Sequence, residues 1–274
     1  MNKIISDRIL KFNNILENCT ISDGVLLAKK EVKELMKLYK PTTVRAYMTI
    51  YRKALKVDSS LIYNALKISK SAQKGIQKNY DKTISKGQKN LIIVKDIDKM
   101  IQTAISLLDS EKYAEITSAL CFLTGRRMTE IMKTAKFTNS KNSKNVMYFE
   151  GQLKTKEIKK KYEIYVLGGA KNECKKALKK LRSMVDTKNL TNFQVSRKTE
   201  TMINDAVNVF FSGFVGAKDI DKCSAHDLRA IYATYCADNF KEKHQATNSF
   251  LSQILGHEED DVNTANSYRK YYLS

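Results

Sequence analysis

The segment CFLTGRRMTEIM, residues 121–132, joins an apolar run to a polar one across a single glycine. Cys121, Phe122 and Leu123 end the mostly apolar stretch 113–123, whose pattern predicts a helix. Gly125 can adopt the backbone that ends such a helix. A new helical run follows at once, so Arg126 and Arg127 stand near its start. Free N–H groups and the helix dipole favour an anion there, and a guanidinium can fork onto two phosphate oxygens. Glu130, three residues after Arg127, is spaced to hold that guanidinium; an ordinary intrahelical ion pair has the same spacing.

A second stretch, KCSAHDLRAIYATYC at 222–236, repeats the arrangement. Ser224 with Asp227 three residues later resembles a capping box that opens a helix. His226 and Arg229 are three apart and share a face at that helix's N-terminal end. Farther on, Leu255-Gly256-His257 closes another predicted helix. Four acids follow, Glu258 to Asp261, and then a predicted helix over 262–273 that carries Tyr268.

Between these stretches the pattern changes. Val94, Ile97, Ile101, Ile105 and Leu108 mark a helix. KNVMYFEGQLK (144–154) and KYEIYVL (161–167) concentrate β-branched and aromatic residues, which predicts two strands with TKEIKK at the hairpin tip. Further helices are predicted at 170–184, about 196–211, 225–239 and 245–255. The first part of the chain reads as short helices. In TTVRAYMTIYRKAL (42–55), Val44, Tyr47, Met48, Tyr51 and Leu55 form an apolar face, and Pro41 suits the first turn. Arg45 and Arg52 share another face, suited to gripping a phosphate backbone and equally to facing solvent. Residues 70–91, polar and rich in lysine, read as a basic linker or exposed helix. The fold class expected is mainly α with a small antiparallel sheet (α+β), divided at 1–69, 70–92 and 93–274.

Composition narrows the partners. The 274 residues carry a net charge of +20, which calls for a polyanion, most often nucleic acid. Nine arginines against forty lysines also fit the lysine bias of an AT-rich genome, and make each arginine more informative. Five scattered cysteines without a CxxC pair predict reduced thiols and an intracellular protein. No apolar run is long enough to span a membrane, and MNKIISDRILKF lacks the apolar stretch of a signal peptide. The acids at 258–261 offer a metal-dependent nuclease as a rival reading, but they are adjacent and no His/Cys cluster accompanies them. A tyrosine in a strongly cationic pocket offers phosphodiester chemistry with neither metal nor cofactor.

TGRRMTEI, SAHDLR and ILGH followed by a late tyrosine resemble, in order, the three signature boxes of the tyrosine recombinases. These include phage integrases, dimer resolvases and telomere resolvases, and the resemblance covers roughly residues 94–272. It implies a helical core-binding-like domain at 1–69 ahead of a recombinase catalytic domain. It further implies that Arg127 is the first catalytic arginine, that His226 and Arg229 are the His-x-x-Arg pair, and that His257 is the histidine of Leu-Gly-His. Lys154 would protonate the leaving 5′ hydroxyl, with Lys156 as rival, and Tyr268 would form a 3′-phosphotyrosyl link. DNA contacts are expected from Arg45, Arg52, Arg126 and Lys156. The acid-rich spacing of eleven residues from His257 to Tyr268 is similar to telomere resolvases, as are GQLKTK and GRR. His226 departs from several of that subgroup, and the sequence stops six residues after Tyr268. The implied activity is hairpin formation at a palindromic double-stranded site by two protomers. The alternatives are an integrase or resolvase joining two duplexes, and a catalytically dead DNA-binding protein.

Overall fold

Pro41 starts a helix whose apolar face organises the N-terminal part of the chain. The computed structural model describes residues 3–140, 143–153, 161–216, 223–256 and 266–274. The chain forms two compact units, Met1–Ser85 and Lys86–Ser274. The first contains α1 (Lys3–Leu16), α2 (Ile21–Leu38), α3 (Pro41–Lys53) and α4 (Ser60–Ala65). Val44, Met48 and Tyr51 of α3 are buried against Ile5, Phe12 and Leu35. Beside this core Arg8 forks onto Glu31 (2.9 and 3.0 Å), and Tyr51 donates to the same carboxylate.

Residues 70–89, within the stretch read as a basic linker or exposed helix, form one helix, α5 (Lys70–Lys89), which runs through the boundary between the units. Its Ala72 and Ile76 lie on the first unit's core, while Gly75 and its lysines face water. The next residues, Ile92–Val94, are strand β1 of the second unit, so Val94 belongs to a strand and not to the helix predicted from it.

The second unit is built around α7 (Tyr113–Thr124), buried at every position from Ala114 to Thr124 except Glu115. Such an all-round apolar helix is stable only when enclosed. It packs against α6 (Ile97–Leu107), α8 (Lys171–Met184), α9 (Asn192–Phe211) and α10 (Ala225–Phe240). Each fully buried Phe or Leu here contributes about 1.5–3 kcal/mol. An antiparallel sheet, β2 (Lys136–Asn139), β3 (Val146–Glu150) and β4 (Tyr162–Tyr165), flanks this core. Phe149 sits opposite both Phe137 and Tyr162. A second sheet places β1 between β5 (Val215–Gly216), antiparallel, and β6 (Tyr271–Leu273), parallel. After α10 comes α11 (Thr247–Leu255). The fold is thus mainly α with small sheets, as the sequence predicts. No described helix is long and apolar enough to cross a membrane.

The chain's end differs from the reading. Where the helix 262–273 is expected, Tyr271–Leu273 extend as β6 along the free edge of β1. Three β-favouring residues beside an open strand edge gain main-chain hydrogen bonds that a fraying terminal helix would lack.

Candidate active site

Arg229 is the centre around which the other groups are arranged. The capping box of Ser224 and Asp227 forms as the spacing predicts and starts α10 at Ala225. Arg229 therefore falls on the first turns, 1% exposed. Its Nη1 donates to Gly125 O, its Nη2 to Leu255 O (2.9 Å) and its Nε to the Tyr268 hydroxyl (3.2 Å). Gly125 and Gly256 are both left-handed (φ 65° and 70°) and end α7 and α11. Carbonyls at such ends have no intrahelical partner and carry the negative pole of the helix. One guanidinium satisfies two of them while facing the phenol. Burial, and then the cation of Arg126, hold its pKa below the usual arginine value.

Arg127 approaches from the segment after Gly125. Its Nη1 donates to Glu130 Oε1 (2.8 Å) and Leu153 O (3.3 Å), and its backbone N–H donates to Glu130 Oε2 (2.9 Å). Glu130 is wholly buried and the Arg127 side chain is 23% exposed, so the cation is clamped from below and open from above. Glu130 opens a π-helical turn, Glu130–Thr134, closed by Ala135 N–H on Glu130 O at 2.7 Å. Such turns are frequent at functional sites, and this one aims the carboxylate back at Arg127. Burial alone would raise the Glu130 pKa, but Arg229, Arg126 and Arg127 hold it below the ordinary carboxylate range.

His226 lies exposed beside Tyr268, ring centroids 5.4 Å apart. Desolvation, then Arg229 and Lys270, lower its pKa, so it is neutral near pH 7. The Tyr268 ring is 3% exposed, with the Arg229 guanidinium 5.5 Å from its centroid. Four of the expected residues, Arg127, His226, Arg229 and Tyr268, thus form one cationic pocket, Arg127 joined to Arg229 through the segment Gly125–Arg127 and Glu130. Lys154, Lys156, His257 and the acids 258–261 lie outside the described residues. Their described neighbours do meet: Gln152 Nε2, two residues before Lys154, donates to Gly256 O, one before His257.

Arg126 is a correction. Expected on DNA, it is 1% exposed and turned inward. It donates to Thr124 O (3.1 Å), to Ile254 O (2.5 Å) and to the Tyr162 hydroxyl, over the Phe149 ring. The Phe149 and Tyr162 rings and three inward-lying acceptors hold it away from the surface and from Tyr268. Arg52 is half a correction: it donates to Leu66 O (2.9 Å) at the end of α4 and to Thr49, whereas Arg45 is exposed. The sequence reading missed Tyr162, Gln152 and Arg182. Arg182 of α8 donates to Ile131 O (2.8 Å) and Lys133 O and so caps the turn that holds Glu130. Only the scarcity of arginine hinted at it.

The family model of the telomere resolvase ResT/TelK catalytic domain matches residues 90–271. Telomere resolvase ResT of Borreliella burgdorferi is 26% identical over 149 residues, 54% of this chain and 32% of that protein. The protelomerase of Escherichia phage N15 is 26% identical over 246 residues, 80% of this chain and 38% of that protein. A solved protelomerase TelA, covalently complexed with substrate DNA, superposes with TM-score 0.88 at 24% identity, covering 100% of this chain and 89% of that one. The chain spans about a third of the length of the curated relatives it matches. With its second unit matched almost end to end, and the pocket of Arg127, His226, Arg229 and Tyr268 inside the match, the chain belongs to the telomere resolvase ResT/TelK catalytic-domain family.

Proposed function

We propose that this chain breaks and rejoins DNA through Tyr268 and makes hairpin ends from a palindromic duplex site. The observation that carries the reading is the Tyr268 hydroxyl, 3.2 Å from Arg229 Nε, inside a pocket that also holds Arg127 and neutral His226. A phenol is a weak nucleophile at its usual pKa of about 10. Arg229 donates to its oxygen and holds it in place, and the surrounding cations favour the charged transition state. In the first step Tyr268 Oη bonds to the scissile phosphorus and the bond to the 5′ oxygen breaks. The phenol proton passes to the His226 imidazole, and Lys154, or Lys156, protonates the departing 5′ oxygen. Arg127 and Arg229 neutralise the charge that develops on the phosphoryl oxygens. In the second step the 5′ hydroxyl of the opposite strand gives its proton to the now neutral Lys154, or Lys156, and bonds to the phosphorus; the bond to Tyr268 Oη breaks, His226 returns the phenol proton, and a hairpin is sealed. The phosphotyrosyl bond conserves the energy of the broken linkage.

Double-stranded DNA is the proposed partner, bound by a pair of protomers on the two halves of the palindrome. A covalent complex with substrate DNA in a structural relative supports the chemistry. The presence of His226, as in ordinary integrases, favours strand exchange between duplexes as the second reading.

The test is an SDS-resistant adduct formed without added metal on sheared DNA of the replicon that encodes the chain. Wild type is expected to form it and Tyr268→Phe to lose it, and the recovered fragment is expected to end in a hairpin. Recombinant joints between two fragments would instead establish strand exchange. An adduct that survives in Tyr268→Phe would overturn the assignment of the nucleophile.

A further inference from the structure

Two residues beyond Tyr268, the chain is fastened to the helix that carries its partners. Asp227 Oδ1 accepts hydrogen bonds from Lys270 Nζ (2.5 Å) and from the Tyr271 hydroxyl (2.8 Å). Its other oxygen, Oδ2, accepts from Ser224 N–H (3.0 Å) and Ser224 Oγ–H (2.6 Å), while Ser224 Oγ accepts from Asp227 N–H (3.3 Å). One carboxylate therefore caps α10 with one oxygen and holds the C-terminal segment with the other. An ordinary capping acid has no such second task. Main-chain pairing continues the attachment: Ile92 N–H donates to Lys270 O (2.9 Å), and Ser274 N–H donates to Val94 O (3.1 Å).

We propose that Asp227 is a positioning residue for Tyr268, acting through Lys270 and Tyr271 to fix the distance between the phenol and the arginine on α10. This rests on Tyr268 being the nucleophile. Asp227 lies between His226 and Arg229 in the sequence, so its backbone moves with both. Lys270 and Tyr271 lie two and three residues after Tyr268, so the anchor acts within one turn of chain from the phenol. The pair is sheltered, with side-chain exposures of 32% for Lys270 and 17% for Asp227, and a sheltered charge-assisted contact resists both salt and thermal drift. The arrangement also disposes of the competing tyrosines. The Tyr271 hydroxyl is engaged by Asp227 and its ring is buried, while Tyr272 points to the other side of β6 and is half-exposed. The nucleophile is thereby singled out among three closely spaced phenols.

The test compares Asp227→Asn, Lys270→Met and Lys270→Arg in the full chain, on the duplex recovered from the wild-type adduct. Asparagine is isosteric and can keep the Ser224 cap, but it has no charge to hold Lys270. Misplacement of a reacting group by about 1 Å costs on the order of 100-fold in rate. Asp227→Asn and Lys270→Met are expected to slow adduct formation at saturating DNA by about that factor. For Asp227→Asn, DNA affinity and melting temperature are expected to stay near wild type, and Lys270→Arg is expected to restore the rate. Replacing the leaving 5′ oxygen by sulfur, which departs without a proton, is expected not to restore Asp227→Asn. A wild-type rate in Asp227→Asn overturns the proposal. So does rescue by the bridging sulfur, which would place the defect at the leaving group, and so does a loss of rate in step with melting temperature and affinity. If wild type forms no adduct, or Tyr268→Phe retains it, the nucleophile assignment itself fails, and that outcome is read from different samples.

Discussion

Glu130 shows how one buried carboxylate can serve a site whose business is positive charge. Its two oxygens take the Arg127 guanidinium, the Arg127 N–H and the Leu153 N–H (3.1 Å), so the anion is fully enclosed by donors. Its pKa is held below the ordinary carboxylate range despite burial, because Arg229, Arg126 and Arg127 surround it. The sign of the pH dependence follows. A carboxyl with a lowered folded pKa adds stability above its unfolded value of about 4.3, and that stability is lost as pH falls through the folded value. Glu130→Gln is expected to melt below wild type at pH 6–7, and the gap is expected to close as both are taken toward pH 3. A gap independent of pH would mean that the glutamate acts through shape alone. The pairing of Arg127 with Glu130 was legible from a spacing of three. The inward turn of Arg126 was not, since adjacent arginines look alike until a helix end and two aromatic rings are brought around one of them.

At the scale of elements, the helices carried the readable signal and the shortest strands did not. α3, α7, α8 and α10 follow from apolar periodicity and from caps written in the sequence, Pro41, Gly125 and Ser224 among them. The β3–β4 hairpin followed from its aromatic and β-branched run. β1, β5 and β6 are two or three residues long, too short for any period, and exist because each finds an edge contributed by a distant part of the chain. This is why the end of the chain was read as helix. Gly125 is the joint on which most of the site depends. It ends α7 at φ 65°, and its carbonyl receives Arg229. A Cβ there would collide with the buried ring of Tyr232, whose hydroxyl is fixed on Tyr165 O at 3.0 Å. Gly125→Ala is expected to cost roughly 2–4 kcal/mol, combining left-handed strain with overpacking. Calorimetry checks this: a shift of less than about 2 °C for a chain of this size would show that the ring can move aside.

Across the whole molecule, charge and burial divide the basic residues into two populations. A net charge of +20 means that lysine–phosphate contacts can dominate affinity, and such binding weakens steeply with salt. The inward-turned Arg126 has no part in that contribution. It is 1% exposed and held by carbonyl oxygens, whereas Arg45 is exposed on α3. A side chain that neutralises one phosphate changes the slope of log affinity against log salt by about 0.9. Arg45→Ala is therefore expected to reduce the slope by about one unit and to leave the melting temperature unchanged. Arg126→Met is expected to do the reverse. It keeps the slope and lowers stability by about 1–3 kcal/mol for each carbonyl left unpaired, here Thr124 O and Ile254 O. Salt titrations of DNA binding, paired with thermal melts of the same three proteins, separate the two classes. A smaller slope for Arg126→Met would return that arginine to the DNA face. An unchanged slope for Arg45→Ala would leave α3 facing solvent and assign the polyanion to the lysines around it.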